Sequence, residues 1–376
     1  MFERNKTMRT MQKVGCIAVA VLGVSMGCKP SDTTVDKTSD TSKILTQNEK
    51  TIEIQGAGAS FPYPLYSKWM AEYQKVDPRI RVNYQSIGSG GGIRQITEKI
   101  IDFGGSDAPM TNEELAKASG KILHIPTTLG AVVVAYNLAE VSSLKLSSEV
   151  MAKIFLGEIQ KWNDAAIAKL NDGVTLPNQP ISVVYRTDGS GTTAVFTEYL
   201  SKTNASWKEK VGAGKSVKFP VGLGAKGNEG VSGQMKMTPG SIGYIELAYA
   251  KQSGLAYALV QNAQKQFVEP SLESISAAAE NVVAQIPEDL RVSIVDAPGE
   301  LSYPISSFTY VLVYEEQADA TQGVELAKFL WWAVHDGQKF GAALHYAPLP
   351  IQVVTKIEAK LREMHSGKQV LLMTKS

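Results

Sequence analysis

The chain has 376 residues, 44% of them hydrophobic and 20% charged, so it can bury a sizeable core, and its length favours two domains over one. Its 38 basic and 37 acidic residues give a net charge of +1, so the charge balance indicates neither nucleic acid nor an anionic membrane as the main partner. We expect no nucleic-acid partner and a chain that works as a monomer.

Residues 1–28 have the pattern of a secretory signal peptide. A basic start precedes an apolar run at 14–26, which is too short for a comfortable transmembrane helix. Cys16 lies inside this run and would be removed with it, which leaves Cys28 alone and excludes an intramolecular disulfide. A lone Cys28 at the cleavage point resembles the acylated cysteine of bacterial lipoproteins, although Ser25 stands where such signals favour Leu. Cleavage by the ordinary signal peptidase and an uncleaved anchor are the alternatives.

Residues 29–50 are rich in Ser, Thr, Asp and Lys and contain few apolar residues. Such a segment buries too little surface to offset the entropy cost of its own ordering, so it is predicted to be a flexible tether. We expect the folded part of the chain to begin near Thr51.

From Thr51 onward, strand and helix patterns alternate along the chain. Apolar runs predict strands at 52–55, 81–87, 101–104, 122–125, 131–136, 181–184, 242–247, 255–260 and 308–313. Helical spacing predicts helices at 62–76, 93–100, 147–155, 164–170, 192–200, 271–285, 323–334 and 352–365. Thr111 and Glu114 have the spacing of a capping box for one further helix. This order indicates an α/β fold with mostly parallel sheets.

Four turns in this pattern lead from a strand into a helix and are rich in glycine and hydroxyl residues. In α/β sheets, ligands bind at the carboxyl ends of the strands, in turns of this kind. The four turns are Gly58-Ala59-Ser60-Phe61, Gly88-Ser89-Gly90-Gly91, Ser106-Asp107 and Asp188-Gly189-Ser190-Gly191-Thr192.

The last of these turns is the most informative segment of the sequence. Its Gly-Ser-Gly step points unpaired backbone N–H groups out of a helix N-terminus, which is an anion-binding arrangement. Arg186 adds a planar positive group that suits a tetrahedral oxyanion, and Asp188 can hold that group in place. An ordinary capped helix start with a surface Arg–Asp pair explains the segment equally well when it is considered alone.

Several enzyme signatures come close and fail. Residues 222–227 fit G-x-G-x-x-G, with Glu246 at about the distance of a ribose ligand, but Pro220 interrupts the approach, so a glycine-rich loop near a hinge is favoured over a dinucleotide site. Residues 214–216 end like a P-loop, but Glu209 stands where that motif needs glycine. Neither Ser60 nor Ser190 lies in G-x-S-x-G, and the four histidines share no ligand spacing, so we expect no metal and no cofactor.

Asp107 is unusual because a carboxylate in an anion site repels an anion that has no proton to donate. Phosphate keeps at least one proton at neutral pH, and Asp107 would accept a strong hydrogen bond from it. Sulfate keeps none, so the two buried negative charges would face each other at a cost of several kcal/mol. A simple helix-capping role for Asp107, ahead of Pro109, is the alternative.

Taken together and in order, five motifs resemble those of the periplasmic phosphate-binding proteins of bacterial high-affinity phosphate ABC transporters. The resemblance extends from about Thr51 to beyond Leu349, and it is poor at 261–299. The motifs are Gly56-Ala57-Gly58-Ala59-Ser60-Phe61-Pro62, Tyr84-Gln85-Ser86-Ile87-Gly88-Ser89-Gly90-Gly91-Gly92, Asp102-Phe103-Gly104-Gly105-Ser106-Asp107-Ala108-Pro109, Arg186-Thr187-Asp188-Gly189-Ser190-Gly191-Thr192 and Gly222-Leu223-Gly224-Ala225-Lys226-Gly227-Asn228.

The resemblance implies which residues bind phosphate, without metal or bound counter-ion. Asp107 is the proton-accepting carboxylate, and Asp188 positions Arg186. Ser60 stands where the family commonly has Thr, which preserves the hydroxyl. The implied phosphate-binding residues are Ser60, Phe61, Ser89, Asp107, Arg186, Asp188, Ser190, Gly191 and Thr192.

The resemblance also implies a two-lobed type II periplasmic-binding-protein fold with a hinge and a ligand cleft between the lobes. Lobe 1 would comprise 51–126 and 302–376, and lobe 2 would comprise 127–301. A protein of this kind is not an enzyme: it would deliver phosphate to the permease and ATPase subunits of an ABC transporter, from a periplasmic location with a lipid anchor at Cys28. A secreted phosphate sensor or adhesin and a secreted phosphatase are the alternatives.

Overall fold

The computed structural model of the protein describes residues 51–372. The predicted signal peptide, the lipid anchor at Cys28 and the tether at 29–50 lie outside the described residues.

Fourteen strands alternate with helices along the described chain, so the predicted α/β class is confirmed. The strands are β1 (Ile52–Gly58), β2 (Ile80–Ser86), β3 (Phe103–Ser106), β4 (Ile122–Tyr136), β5 (Lys145–Leu146), β6 (Ser182–Arg186), β7 (Leu223–Ala225), β8 (Ser241–Glu246), β9 (Ala256–Tyr257), β10 (Leu259–Gln261), β11 (Phe267–Val268), β12 (Ser306–Tyr314), β13 (His365–Ser366) and β14 (Gln369–Val370).

The α-helices range from single turns to four turns. They are α1 (Tyr63–Val76), α2 (Ser89–Thr97), α3 (Asn112–Leu115), α4 (Ser148–Phe155), α5 (Ala165–Ala168), α6 (Gly191–Thr203), α7 (Ala205–Lys210), α8 (Gly227–Met237), α9 (Leu247–Ser253), α10 (Leu272–Glu280), α11 (Ala320–Val334) and α12 (Ile351–Glu363). Three 3₁₀ helices lie at Val283–Gln285, Asp336–Phe340 and Ala342–Leu344.

The main sheet has the strand order β2-β1-β3-β12-β4-β8-β6-β7, with β9 also paired to β4. Its two ends are parallel: β1 pairs with β2 and β3, and β6 pairs with β7 and β8. Its middle is antiparallel, since β12 pairs with β3 and β4, and β4 pairs with β8. The expectation of mostly parallel sheets is therefore wrong for the centre of the sheet, where β4 and β12 run from one parallel group to the other.

The two strands predicted at 122–125 and 131–136 are a single buried strand, β4. This strand includes Pro126, which has no N–H to donate. The strand continues because its pairing with β12 shifts register between Thr309 and Tyr310, and this bulge accommodates the proline and the extra residue Thr127. The strand predicted at 255–260 is instead two short strands, β9 and β10.

Five strands of the parallel groups end at turns that form the site, and four of these turns are the predicted ones. β1, β2 and β3 lead to Ser60, Ser89 and Asp107, and β6 and β7 lead to the starts of α6 and α8. The carboxyl ends of parallel strands meet at one edge of a sheet, which brings these turns together.

Within residues 51–372, no helix combines the length and apolar character needed to cross a lipid bilayer. The lobe boundaries at 126/127 and 301/302 stay a prediction. For the site description we call Ser60, Phe61, Ser89 and Asp107 the first half-site, and residues 186–192 the second half-site.

Candidate anion-binding site

The nine predicted site residues lie together in one buried region. Hydrogen bonds connect the first half-site to the second by two routes, one through Asn228 and one through Ser89. Arg186, Asp107 and the hydroxyl residues are almost completely removed from solvent, with exposed fractions of 5% for Arg186 and 2% for Asp107. Polar groups at this depth need partners, and the hydrogen bonds of the site supply them.

The first route begins at Ser60, in the turn after β1. Its hydroxyl accepts hydrogen bonds from the backbone N–H of Asn228 at 3.1 Å and from the Asn228 side-chain amide at 2.9 Å. The same amide donates to the Thr192 hydroxyl at 3.1 Å, and Thr192 also accepts from Arg186 at 3.3 Å. The adjacent Phe61 is fully buried.

The Arg186 side chain is held by a two-point ion pair with Asp188. Its Nε donates to Oδ1 at 2.7 Å and its Nη2 donates to Oδ2 at 2.5 Å. A guanidinium has five N–H donors. Among the described residues, two of them bind Asp188 and one binds Thr192, so two remain that can donate to an anion.

The second route joins Ser89 to the start of α6. The Ser89 hydroxyl accepts from the Gly191 N–H at 3.0 Å and from the Asp107 N–H at 3.3 Å. Ser190 is the N-cap of α6, because its hydroxyl accepts from the Thr193 N–H at 3.0 Å. The predicted helix start is thus present, and its N-terminus faces Ser89 and Asp107.

Asp107 is not a helix cap, since the helix that follows is capped by Thr111 with the predicted Glu114 capping box. The Oδ1 atom of Asp107 accepts from the Thr309 hydroxyl at 2.9 Å, and its backbone carbonyl accepts from the Ser307 hydroxyl at 3.0 Å. Its Oδ2 atom lies beside Gly191. The carboxylate therefore faces the helix N-terminus of the second half-site.

Burial dominates the ionisation of these groups. Loss of solvation raises the pKa of Asp107 to about 7, against the opposing effects of the Thr309 hydrogen bond and the Arg186 charge. Burial acts in the same direction on Asp188, but its hydrogen bonds from Arg186 and from the Gly227 N–H outweigh burial and lower its pKa. Asp188 therefore stays ionised as the counter-charge of Arg186, whereas Asp107 titrates near neutral pH.

Four residues of the site, in two segments, were not predicted from the sequence. Asn228 and Gly227 begin α8, where the sequence indicated only a glycine-rich loop; the Gly227 N–H donates to Asp188 at 3.0 Å. The strand pattern before α8 is short and weak, so no helix start was evident from the sequence. In the structure Gly227 has a φ of 73°. Ser307 and Thr309 reach Asp107 from a strand 200 residues away along the chain, and no local signal could reveal that contact.

The other motifs form no competing site. Lys215, from the segment that mimics a P-loop, donates to the Glu114 carboxylate at 2.8 Å and its backbone carbonyl accepts from Ser190. Within residues 51–372, no cluster of His, Cys, Asp and Glu side chains has the arrangement of a metal site.

Comparison with known proteins identifies the family. A family model described as a PBP superfamily domain matches residues 30–336. The phosphate-binding protein PstS of Pasteurella multocida (strain Pm70) is 49% identical over 320 residues, which are 84% of this chain and 91% of that protein. The PstS of Xylella fastidiosa (strain Temecula1 / ATCC 700964) is 45% identical over 351 residues, which are 92% of this chain and 94% of that protein.

The chain belongs to the PstS family of phosphate-binding proteins. The predicted resemblance is confirmed. The fold of this PstS-family chain is also that of a solved high-affinity periplasmic phosphate-binding protein, PfluDING, whose structure contains phosphate: the TM-score is 0.67 at 23% identity, over 82% of this chain and 93% of that one. The predicted periplasmic-binding-protein fold is confirmed.

Proposed function

We propose that this protein binds inorganic phosphate between its two half-sites and delivers it to an ABC transporter for import. The observation that carries the proposal is the buried Asp107 carboxylate facing the α6 N-terminus, in the same network as the paired Arg186. An arrangement with one fixed positive charge, helix N-termini and one proton-accepting carboxylate suits an oxyanion that carries a proton. The names of the family relatives support phosphate as that anion.

The donors for the phosphate oxygens come from both half-sites. Arg186 offers two further N–H groups, and the hydroxyls of Ser60, Ser89 and Thr192 line the same buried region. The Ser190 hydroxyl and the Phe61 backbone N–H add further donors, while the Gly191 N–H already donates to Ser89. Within the described residues the Phe61 N–H makes no hydrogen bond, so it is free for an anion.

Asp107 provides the discrimination. When it is ionised it accepts the proton of phosphate, and this hydrogen bond between a charged oxygen and a hydroxyl is among the strong ones. Sulfate brings no proton, so its oxygens would face the Asp107 carboxylate directly and both groups would lose their water. Arg186 thus attracts any small oxyanion, and Asp107 selects the protonated one.

Two observations support a role in transport: the chain belongs to the PstS family, and its site is built from two half-sites. The first half-site belongs to the segment proposed as lobe 1 and the second to lobe 2, so a bound anion would contact both and favour the closed state. The permease and ATPase subunits of the transporter would then recognise the closed form. We place the protein in the periplasm as a monomer, anchored through an acylated Cys28.

Isothermal titration calorimetry with phosphate, sulfate and arsenate tests the proposal. We expect saturable binding of phosphate and arsenate, both of which carry protons, and no binding of sulfate at pH 8. Binding of sulfate as tight as that of phosphate would contradict the role of Asp107. Absence of phosphate binding would overturn the proposed function.

A phosphatase built on one of the turn serines is the enzymatic alternative, and the geometry does not favour it. The Ser190 hydroxyl caps α6, and within the described residues it has no hydrogen bond to a general base. Turnover of a chromogenic phosphomonoester that disappears in Ser190→Ala would support the enzyme. Normal phosphate uptake after deletion of the gene would instead favour a sensor or adhesin.

A further inference from the structure

A buried carboxyl group lies outside the anion site, at the end of β8. Glu246 ends β8, is 0% exposed, and caps α9 by accepting a hydrogen bond from the Ala248 N–H at 2.8 Å on Oε2. In the register of the sheet it pairs with Val132 of β4. Its Oε1 atom has no hydrogen-bond partner among the described residues. An ionised carboxylate with a bare buried oxygen would be very costly.

The number of protons available to these groups indicates the protonation state of Glu246. The Tyr346 hydroxyl lies 2.6 Å from the Phe61 carbonyl oxygen and 3.2 Å from Oε2 of Glu246. A phenol has one proton, and a carbonyl oxygen can only accept, so the shorter contact takes the proton of Tyr346. The contact between Tyr346 and Glu246 is then a hydrogen bond only if Glu246 supplies the proton. A carboxylic acid also leaves Oε1 as a neutral oxygen, which is far less costly to bury.

Three side chains near Glu246 form hydrogen bonds with the turn that contains Ser60 and Phe61. Tyr346 donates to the Phe61 carbonyl, and Tyr249, on α9, donates to the Ser60 carbonyl at 2.7 Å. The backbone N–H of Glu246 donates at 3.0 Å to the side chain of Asn228, whose amide in turn holds the Ser60 hydroxyl. Glu246 is therefore connected to the backbone of this turn through Tyr346 and to the Ser60 hydroxyl through Asn228.

We propose that Glu246 is a neutral carboxylic acid that donates its proton to Tyr346, and that this relay positions the Ser60–Phe61 turn for phosphate. Glu246 is a positioning residue: it acts through Tyr346 and does not touch the anion. The proposal rests on the proposed function in so far as phosphate is the ligand of that turn. Burial raises the pKa of Glu246 well above its ordinary value, and the negative charge of Asp107 adds to that effect, in agreement with a neutral acid.

The relay can be broken at either end. Tyr346→Phe removes the hydroxyl that holds the Phe61 carbonyl. Glu246→Gln also breaks the relay, although it keeps the size of the side chain. In the proposed acid, Oε2 both accepts from Ala248 and donates to Tyr346, and no single atom of a glutamine side chain can do both. Tyr314→Phe is the matched control, since the buried Tyr314 donates its hydroxyl proton to the carbonyl of Thr97 at 3.2 Å, at the end of β12 and away from the turn.

Phosphate affinity is measured by calorimetry for wild type, Tyr346→Phe, Glu246→Gln, the double variant and the control. We expect each single variant to weaken binding roughly tenfold, as for one hydrogen bond of about 1.4 kcal/mol. The double variant should lose no more than the worse single variant, because both break one relay. The control should bind as wild type does. Independent, additive losses, or full affinity in both single variants, would overturn the positioning role.

Infrared spectroscopy detects the carboxylic acid directly and does not depend on phosphate binding. We expect wild type at pH 8 to show the C=O stretching band of a protonated carboxylic acid, and Glu246→Gln to lose it. A wild-type spectrum without that band would overturn the proposal. If wild type failed to bind phosphate, the proposed function and the positioning role would fall, whereas the band would still be expected.

Discussion

A methyl group at Gly191 provides a sharp test of how closely the two half-sites meet. A Cβ atom on this residue would lie 2.5 Å from Oδ2 of Asp107 and 2.6 Å from Oγ of Ser89, where ordinary contacts begin at 3.4 Å. Gly191 is outside the left-handed region, so alanine fits the backbone and the clash alone is decisive. Rotation can relieve the two oxygens, but the Cβ atom of Asp107, at 2.7 Å from the new methyl group, is fixed by its backbone, so Gly191→Ala must move the half-sites apart by about 0.7 Å, the difference between 2.7 Å and 3.4 Å.

The size of the effect follows from the hydrogen bond that such a shift would break. The contact of the Gly191 N–H with Ser89 measures 3.0 Å and would lengthen beyond hydrogen-bonding range. An anion that bridges the half-sites would lose contact with one of them. Loss of one or two charge-assisted bonds costs about 3 kcal/mol, so phosphate affinity should fall roughly 100-fold.

Calorimetric titration with phosphate measures this loss, and thermal unfolding without phosphate checks that the variant is folded. Gly233→Ala is the matched control, because Gly233 also lies in a helix and a Cβ there meets nothing within 4 Å. The control should bind phosphate as wild type does and gain about 0.4–1 kcal/mol of stability. Wild-type affinity in Gly191→Ala would refute the close approach of the half-sites on which the site rests.

Three further predictions concern charge. Lys215→Met removes a partly buried ion pair with Glu114 that joins the segments of the two half-sites. Such a pair contributes about 1 kcal/mol, so phosphate affinity should fall a few-fold. Lys153→Met, which removes an exposed ion pair, should leave the affinity measured by calorimetry unchanged. Burial lowers the pKa of His124 to about 4, so between that pH and about 6.5 the unfolded state binds more protons than the folded state. The free energy of unfolding should therefore fall by about 3 kcal/mol as pH is lowered through this range. Chemical denaturation of His124→Gln should show a weaker dependence of that free energy on pH. Burial raises the pKa of Asp107 to about 7, so the fraction of Asp107 that is protonated and can donate to sulfate rises roughly tenfold from pH 8 to pH 6. Sulfate should therefore compete with phosphate more strongly at pH 6 than at pH 8. Equal competition at the two pH values would exclude titration of Asp107.

The local part of the site could be predicted from the sequence because glycine, serine and helix-capping patterns are short-range. The start of α6 at Gly191, the capping box at Thr111 and the Arg186–Asp188 pair all depend on residues within a few positions of one another. The family motifs added which turns belong together. The structure places them in one network, while their role as phosphate ligands stays a prediction.

The rest could not be predicted because it depends on contacts between distant segments. Separate strands were predicted at 122–125 and 131–136, and only the register shift with β12 explains why β4 continues through Pro126. The contacts of Thr309 with Asp107 and of Asn228 with Ser60 join segments more than 160 residues apart. Sequence spacing carries no information about such pairs.

Calorimetric titration of Asp107→Asn with phosphate and with sulfate tests the central claim most directly. The asparagine keeps the size of the side chain and replaces a proton acceptor by a group that can donate. We expect phosphate affinity to fall and sulfate, undetectable with wild type at pH 8, to bind. If Asp107→Asn binds phosphate as wild type does and still excludes sulfate, Asp107 is not the group that recognises the proton.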